Sequence, residues 1–205
     1  MALVKYNNNS ISSVTATASL PAGAMTLIKS QTASSSSNIS FVHGTSDVVL
    51  DNTYPIYLFK LINIHPSAQA FFGFNFSTDA GSNYNATKTS TNFRAYHSEA
   101  DSTDLDYKDG DDIAQGTGQV LTAGNLGTGN DESLSGELWL FNPASTTYIK
   151  HFIWRSSCVQ SAPAAFDCFV AGYVNTTSDV DAVQFAMASG NIDAGTIKLY
   201  GIRDS

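Results

Sequence analysis

The stretch DLDYKDGDDIAQ, from Asp104 to Gln115, places five carboxylates within nine positions, Asp104 to Asp112. Calcium loops set oxygen ligands at alternate positions around a glycine turn. Asp104 and Asp106 meet positions one and three of such a loop, but Lys108 takes the fifth, Gly110 falls one residue late, and Gln115 replaces the bidentate glutamate. The expectation is a solvated acidic loop, and an irregular cation site would draw on Asp106, Asp109, Asp111 and Asp112. The four histidines, His43, His65, His97 and His151, show no H-E-x-x-H or H-x-H spacing, so zinc is unsupported. No G-x-S-x-G turn is present for a hydrolase serine. A glycosidase pair would come from Glu99, Glu132 and Glu137, the only glutamates, but it needs a set carboxyl separation that spacing alone does not fix. The fragments GTGQVLTAG and GNLGTGN lack the strand, glycine turn and helix that aim amides at phosphate. The residues therefore point away from an enzyme and imply no cofactor and no metal; a cation-dependent hydrolase is the remotest reading. A sugar site would need exposed aromatics beside loop Asn and Asp, for which Tyr84, Tyr96, Tyr107 and Trp139 are available.

These groups must be positioned by strands. From Met25 the chain alternates with period two, which stacks side chains on one face of an extended segment and scatters them round a helix. In AFFGFNFS, Phe72, Phe74 and Phe76 point one way and Phe71, Gly73 and Asn75 the other. YPIYLFKLINI carries Ile56, Leu58, Ile62 and Ile64 on one face, broken by Lys60, and Tyr57, Phe59 and Leu61 on the other. Apolar on both sides, it reads as a central strand. SGELWLFNPASTTYIKHFIWR reads as two strands joined at Asn142 to Ser145, with Leu138 and Leu140 opposing Trp139 and Phe141. TKTSTNFRAYH reads as a polar, exposed edge strand, and residues 98–130 as one long loop with a short strand near Gln119 to Thr122. AVQFAMAS and IKLYGI read as the last hairpin, with Met187 near Leu199.

About eight to ten short strands and no helix predict an all-β fold of two packed antiparallel sheets, a sandwich or jelly roll. The 205 residues fit one such domain over 25–205, preceded by an Asn/Ser/Thr-rich arm over 1–24 that anchors or docks. Charged residues are only 14%, so Ser, Thr, Asn and Gly must supply much of the surface. The net charge of −8 disfavours nucleic acid, and no apolar run reaches the ~20 residues of a membrane span. The first residues, MALVKYNNNSISS, lack a basic head and apolar stretch, which predicts a chain made in a cytoplasm. Cys158 and Cys168, ten residues apart, read either as two buried thiols or as a bridge formed in an oxidising medium.

Taken together, SLPAGAMTLIKSQTASSSSNISF, YPIYLFKLINIHPS, FNFSTDAGSNYN, SLSGELWLFNPAST and SGNIDAGTIKLYGI resemble a family of virion proteins from tailed bacteriophages, abundant in marine and cyanobacterial phages. The likeness spans about residues 19–202 and is weakest over 98–130. It implies a non-enzymatic virion structural protein, a short surface knob, head decoration or tail-fibre-associated part with a jelly-roll-like domain. The implied partners are other capsid or tail proteins, reached through the arm, and further copies of the chain, a trimer being one arrangement. The alternative it implies is a tail module that attaches to a host-surface glycan.

Overall fold

The computed structural model describes residues 24–122 and 124–203. The arm expected over 1–24 lies, except for Ala24, outside the described residues. The described chain is all-β, with thirteen strands: β1 (Met25–Thr32), β2 (Ile39–Val42), β3 (Ile56–Pro66), β4 (Phe72–Ser77), β5 (Lys88–Ser98), β6 (Thr103–Tyr107), β7 (Ile113–Gly116), β8 (Val120–Leu121), β9 (Leu134–Phe141), β10 (Lys150–Val159), β11 (Ala164–Val174), β12 (Ala182–Met187) and β13 (Ile192–Ile202). They form two antiparallel sheets. The large one has nine strands in the order β1-β13-β3-β9-β10-β11-β5-β6, with β7 beside β5; the small one has four, β2-β12-β4-β8.

The alternation read in the sequence builds the interior between them. Phe72, Phe74 and Phe76 are fully buried on the inner face of the small sheet. Phe74 meets Phe152 edge-on at 5.5 Å and Trp154 at the same centroid distance, so aromatic rings of one sheet lock into those of the other. Each such side chain contributes about 1.5–3 kcal/mol by leaving water. Cys158 and Cys168 are free, buried thiols on the inner face of the large sheet, from β10 and β11. Burial pushes them up to about 11 and about 12, which keeps both in the unreactive thiol form.

Four expectations need correction. The strand count exceeds eight to ten because residues 98–130 are not one loop: β6 and β7 both pair with β5. For the same reason TKTSTNFRAYH is no edge: β5 runs between β11 and β6, and its polar Asn92 is buried with its amide on the Leu121 carbonyl. The last two strands form no hairpin, since β12 belongs to the small sheet and β13 lies between β1 and β3 in the large one. Met187 pairs with Phe72 and Leu199 with Phe59. Finally, Ile64 does not share a face with Ile62. The register of β3 against β9 shifts between Leu61 and Ile64, with Asn63 at φ 51°. On the neighbouring strand Gly195 takes φ 119°, and a Cβ there would stand 2.7 Å from the Asn63 carbonyl oxygen. An extra residue in a strand inverts the pleat beyond it, which turns Ile64 fully inward.

Candidate functional site

The groups that could do chemistry gather on the half of the large sheet made by β9, β10, β11 and β5. On its outer face, small side chains at Ser135, Ser157, Ala165 and Ala95 leave an open trough of about 690 Å³. Its walls are charged. Arg155 reaches diagonally across the β10–β11 hairpin to Asp167 and donates to it twice, from Nε at 3.2 Å and from Nη2 at 2.8 Å. The Arg155 guanidinium also lies 4.8 Å from the centre of the Phe169 ring. Glu137 accepts from Trp139 Nε1 at 3.0 Å and lies 3.6 Å from Lys60 Nζ. His97 faces Asp101 at 3.1 Å on the exposed rim.

On the other side of the same strands a recess of about 560 Å³ opens, lined by Arg94, Tyr96, Glu99, Gln160, Pro163 and Phe166 among others. Tyr96 stacks on Phe166 at 5.4 Å, and the Arg94 guanidinium lies 5.1 Å from the centre of that ring. Arg94 Nε stands 3.6 Å from Asp106 Oδ1, beyond hydrogen-bond reach, and neither atom has a hydrogen-bond partner.

The residues singled out in the sequence fall in three places. Tyr96 lines the recess. Tyr107, on the opposite face of the β5–β6 pair, is exposed and donates its hydroxyl to Asp112 at 2.5 Å, a bond that raises the phenol above its ordinary value. Tyr84 belongs to the loop after β4, beside Gly81. Asp106 is engaged by Lys108 as well as facing Arg94. Asp111 is raised, chiefly by burial, against the pull of Arg94 and Lys108, and its N–H and that of Asp112 both donate to the Lys108 carbonyl at 3.1 Å. Asp109 lies in the turn between Lys108 and Asp111. Among the described residues no group of three or more His, Cys, Asp or Glu side chains is placed to hold a metal ion.

The histidines are spread over separate loops and strands. His43 Nδ1 accepts from the Leu50 N–H, His65 Nε2 meets the Gly129 carbonyl at 3.1 Å, and His151 projects from β10 into solvent. Glu132 accepts from the Gly129 N–H, which closes the glycine-rich loop ahead of β9.

Sequence reasoning missed two fully buried lysines. Lys88 donates to the Gly118 carbonyl at 2.8 Å, and burial pulls it down to about 8. Lys150 donates to the carbonyls of Thr176 and Ser178, at 3.2 and 2.5 Å, and is likewise lowered by burial. Both pair with Val174, one on each side, so they tie loops to one end of the sheet. Their inward parity was the available signal: Lys150 alternates in step with Phe152 and Trp154.

The outer face beyond the trough is unusually apolar. Pairing places Met25, Ile202, Ile56 and Phe141 in one row across β1, β13, β3 and β9. The next row is Leu27, Tyr200, Leu58, Trp139, Ile153 and Ala171, continuing through β10 and β11. Met25, Leu27 and Ile153 are each about half exposed, at 49%, 51% and 48%. Leu58 is only 2% exposed although it lies outside the interior cluster, between Tyr200 and Trp139 in the row.

No family model, no curated protein and no solved structure matches this chain.

Proposed function

We propose that the chain is a non-enzymatic structural component of a tailed-phage virion: a short surface knob, head decoration or tail-fibre-associated part of jelly-roll-like build. The observation that carries an assembly role is the outer face of the nine-stranded sheet, which two successive rows of aliphatic and aromatic side chains line, with Met25, Leu27 and Ile153 about half exposed. Patches of this extent mark surfaces that become covered. The virion setting comes from the sequence resemblance, and the interlocked aromatic interior suits a part that must persist outside a cell. The Asn/Ser/Thr-rich segment 1–24 joins the domain to its particle. Deleting residues 1–20 abolishes incorporation while the domain still folds; normal incorporation of the shortened chain rejects the arm's role. Electron cryomicroscopy of the intact particle locates the chain, and its absence from head and tail rejects the virion role.

One observation favours a second reading, a module that binds a host-surface glycan. The recess beside Tyr96 offers a stacked Tyr96–Phe166 pair with Arg94, Glu99 and Gln160 around it, an apolar wall with polar groups for sugar hydroxyls. Under that reading the soluble protein binds a glycan array or host cells saturably and Tyr96→Ala weakens binding at least tenfold. Absence of saturable binding removes it.

A further inference from the structure

We infer that the outer face of the nine-stranded sheet is an isologous dimer interface, covered by the same face of a second copy of this chain across a two-fold axis above the β3–β9 seam. The inference rests on the reading of the chain as an assembly component and names its partner.

The register makes the face complementary to itself. A two-fold axis lying between two stacked sheets, parallel to the strands and over the β3–β9 seam, exchanges β3 with β9, β13 with β10, and β1 with β11. In the second apolar row this brings Leu58 over Trp139 of the other copy, Tyr200 over Ile153, and Leu27 over Ala171. In the first row it brings Ile56 over Phe141. The first row continues into His151 and Tyr173, so the axis also sets Met25 over Tyr173 and Ile202 over His151, the single place in these two rows where an apolar side chain meets an imidazole.

The third row carries the charges: Ser30, Lys198, Lys60, Glu137, Arg155 and Phe169. The same axis sets Lys60 over Glu137 of the second copy and Glu137 over its Lys60, merging two ion pairs into one alternating four-charge cluster. Lys198 comes over Arg155, a like-charged approach relieved by Asp167, which already holds Arg155 at 2.8 Å.

Charge also selects this face over the rest of the surface. The chain carries −8 overall, so two copies repel. The third row holds Lys60, Lys198 and Arg155 against Glu137, and a fourth row, through Ser135, Ser157 and Asp167, adds one carboxylate: three cations and two carboxylates over the four rows, a balance of +1. The remaining acids lie elsewhere, five of them between Asp104 and Asp112.

The area suffices. Six strands at about 4.8 Å and four rows at about 6.7 Å cover roughly 750 Å² per copy, or about 1,500 Å² for the pair. Stable specific interfaces bury about 1,200–2,000 Å². Aligned sheets stack face to face at about 10 Å, a spacing that interdigitated Leu, Ile, Tyr and Trp side chains fill.

The test is sedimentation of the full chain over a concentration series, with near-ultraviolet circular dichroism to confirm folding. The wild type sediments as a dimer. Ile153→Glu, at a half-exposed position, keeps its fold and weakens the dimer at least 100-fold. Lys60→Glu weakens it about tenfold, and Lys60→Glu with Glu137→Lys restores it. A wild type that stays monomeric at every concentration overturns the inference, as does an oligomer indifferent to folded Ile153→Glu or one larger than a dimer that this change disperses. The two readings fail separately. A monomer still found in the particle sinks the self-docking face and spares the virion role, whereas a dimer absent from every particle does the reverse.

Discussion

The two sheets of this sandwich share one interior and show water two different faces. The small sheet turns out Ser40, Asn75 and Gln184, in one cross-strand row through β2, β12 and β4, with the Gln184 amide donating to Ser40 Oγ. The large sheet turns out Leu27, Tyr200, Leu58, Trp139 and Ile153 at the corresponding depth. An antiparallel sheet with one solvated face normally alternates apolar inside with polar outside. The small sheet obeys. The large sheet is apolar on both sides along β3, the pattern of a strand covered twice, and the proposed assembly role rests on that difference.

Four measurements break or sharpen this contrast. The interior common to both faces sets the scale: Phe74→Ala lowers unfolding free energy in urea by about 3–5 kcal/mol, as large-to-small changes in a packed core do. An outer-face variant with a similar loss would mean that the outer row is itself a core.

Next comes the inner face of the large sheet at its Lys88 end. Below about pH 8 this lysine is charged in both folded and unfolded chains. From about 8 to about 10.4 the folded chain releases its proton while the unfolded chain keeps it, so stability rises with pH by roughly 2–3 kcal/mol. The buried thiols of Cys158 and Cys168, held above their ordinary range, act in the opposite sense from about pH 9. The quantity to read is therefore the wild-type stability minus that of Lys88→Met, in which the thiols cancel. That difference grows between pH 8 and 10; a flat difference means the ammonium is solvated.

Third, Leu58→Ala costs about 2 kcal/mol in the isolated chain, where this side chain is already buried, near the lower limit for a buried leucine. A loss below about 0.5 kcal/mol would make the large face an ordinary surface. Smallest is Gln184→Ala on the small sheet: it removes one partly exposed hydrogen bond and shifts stability by no more than about 0.5–1 kcal/mol. A larger loss would show that the small sheet is covered too.

The all-β class, the inward phenylalanines and the central position of β3 were legible because period-two alternation is local. Phe72, Phe74 and Phe76 could face only one way relative to each other. What was not legible depends on partners distant in the chain. Nothing in TKTSTNFRAYH says that β11 and β6 flank it, so its polar residues read as an edge when Asn92 was serving a buried carbonyl. The inversion at Ile64 needs Asn63 and Gly195, on neighbouring strands, to be known together. Of the candidate groups, Tyr96 sits in a recess because Phe166 stacks on it from β11, and the Arg155–Asp167 pair forms because their strands are adjacent. Neither pairing is written in sequence spacing. The acidic run was conspicuous in the sequence, yet Lys108 and Arg94 engage Asp106 there.

The placement of β13 governs the order in which the protein can be made. Among the described residues β1 pairs only with β13, and everything from residue 33 to residue 191 separates them. While the ribosome is still reading that interval, the first strand has no template, and β3 shows one unzipped border. The large sheet thus waits for its keystone. A synthesis halted before Ile192 leaves β9, β10 and β11 paired beside an open seam, the kind of half-built edge that chaperones shield and that stray strands invade.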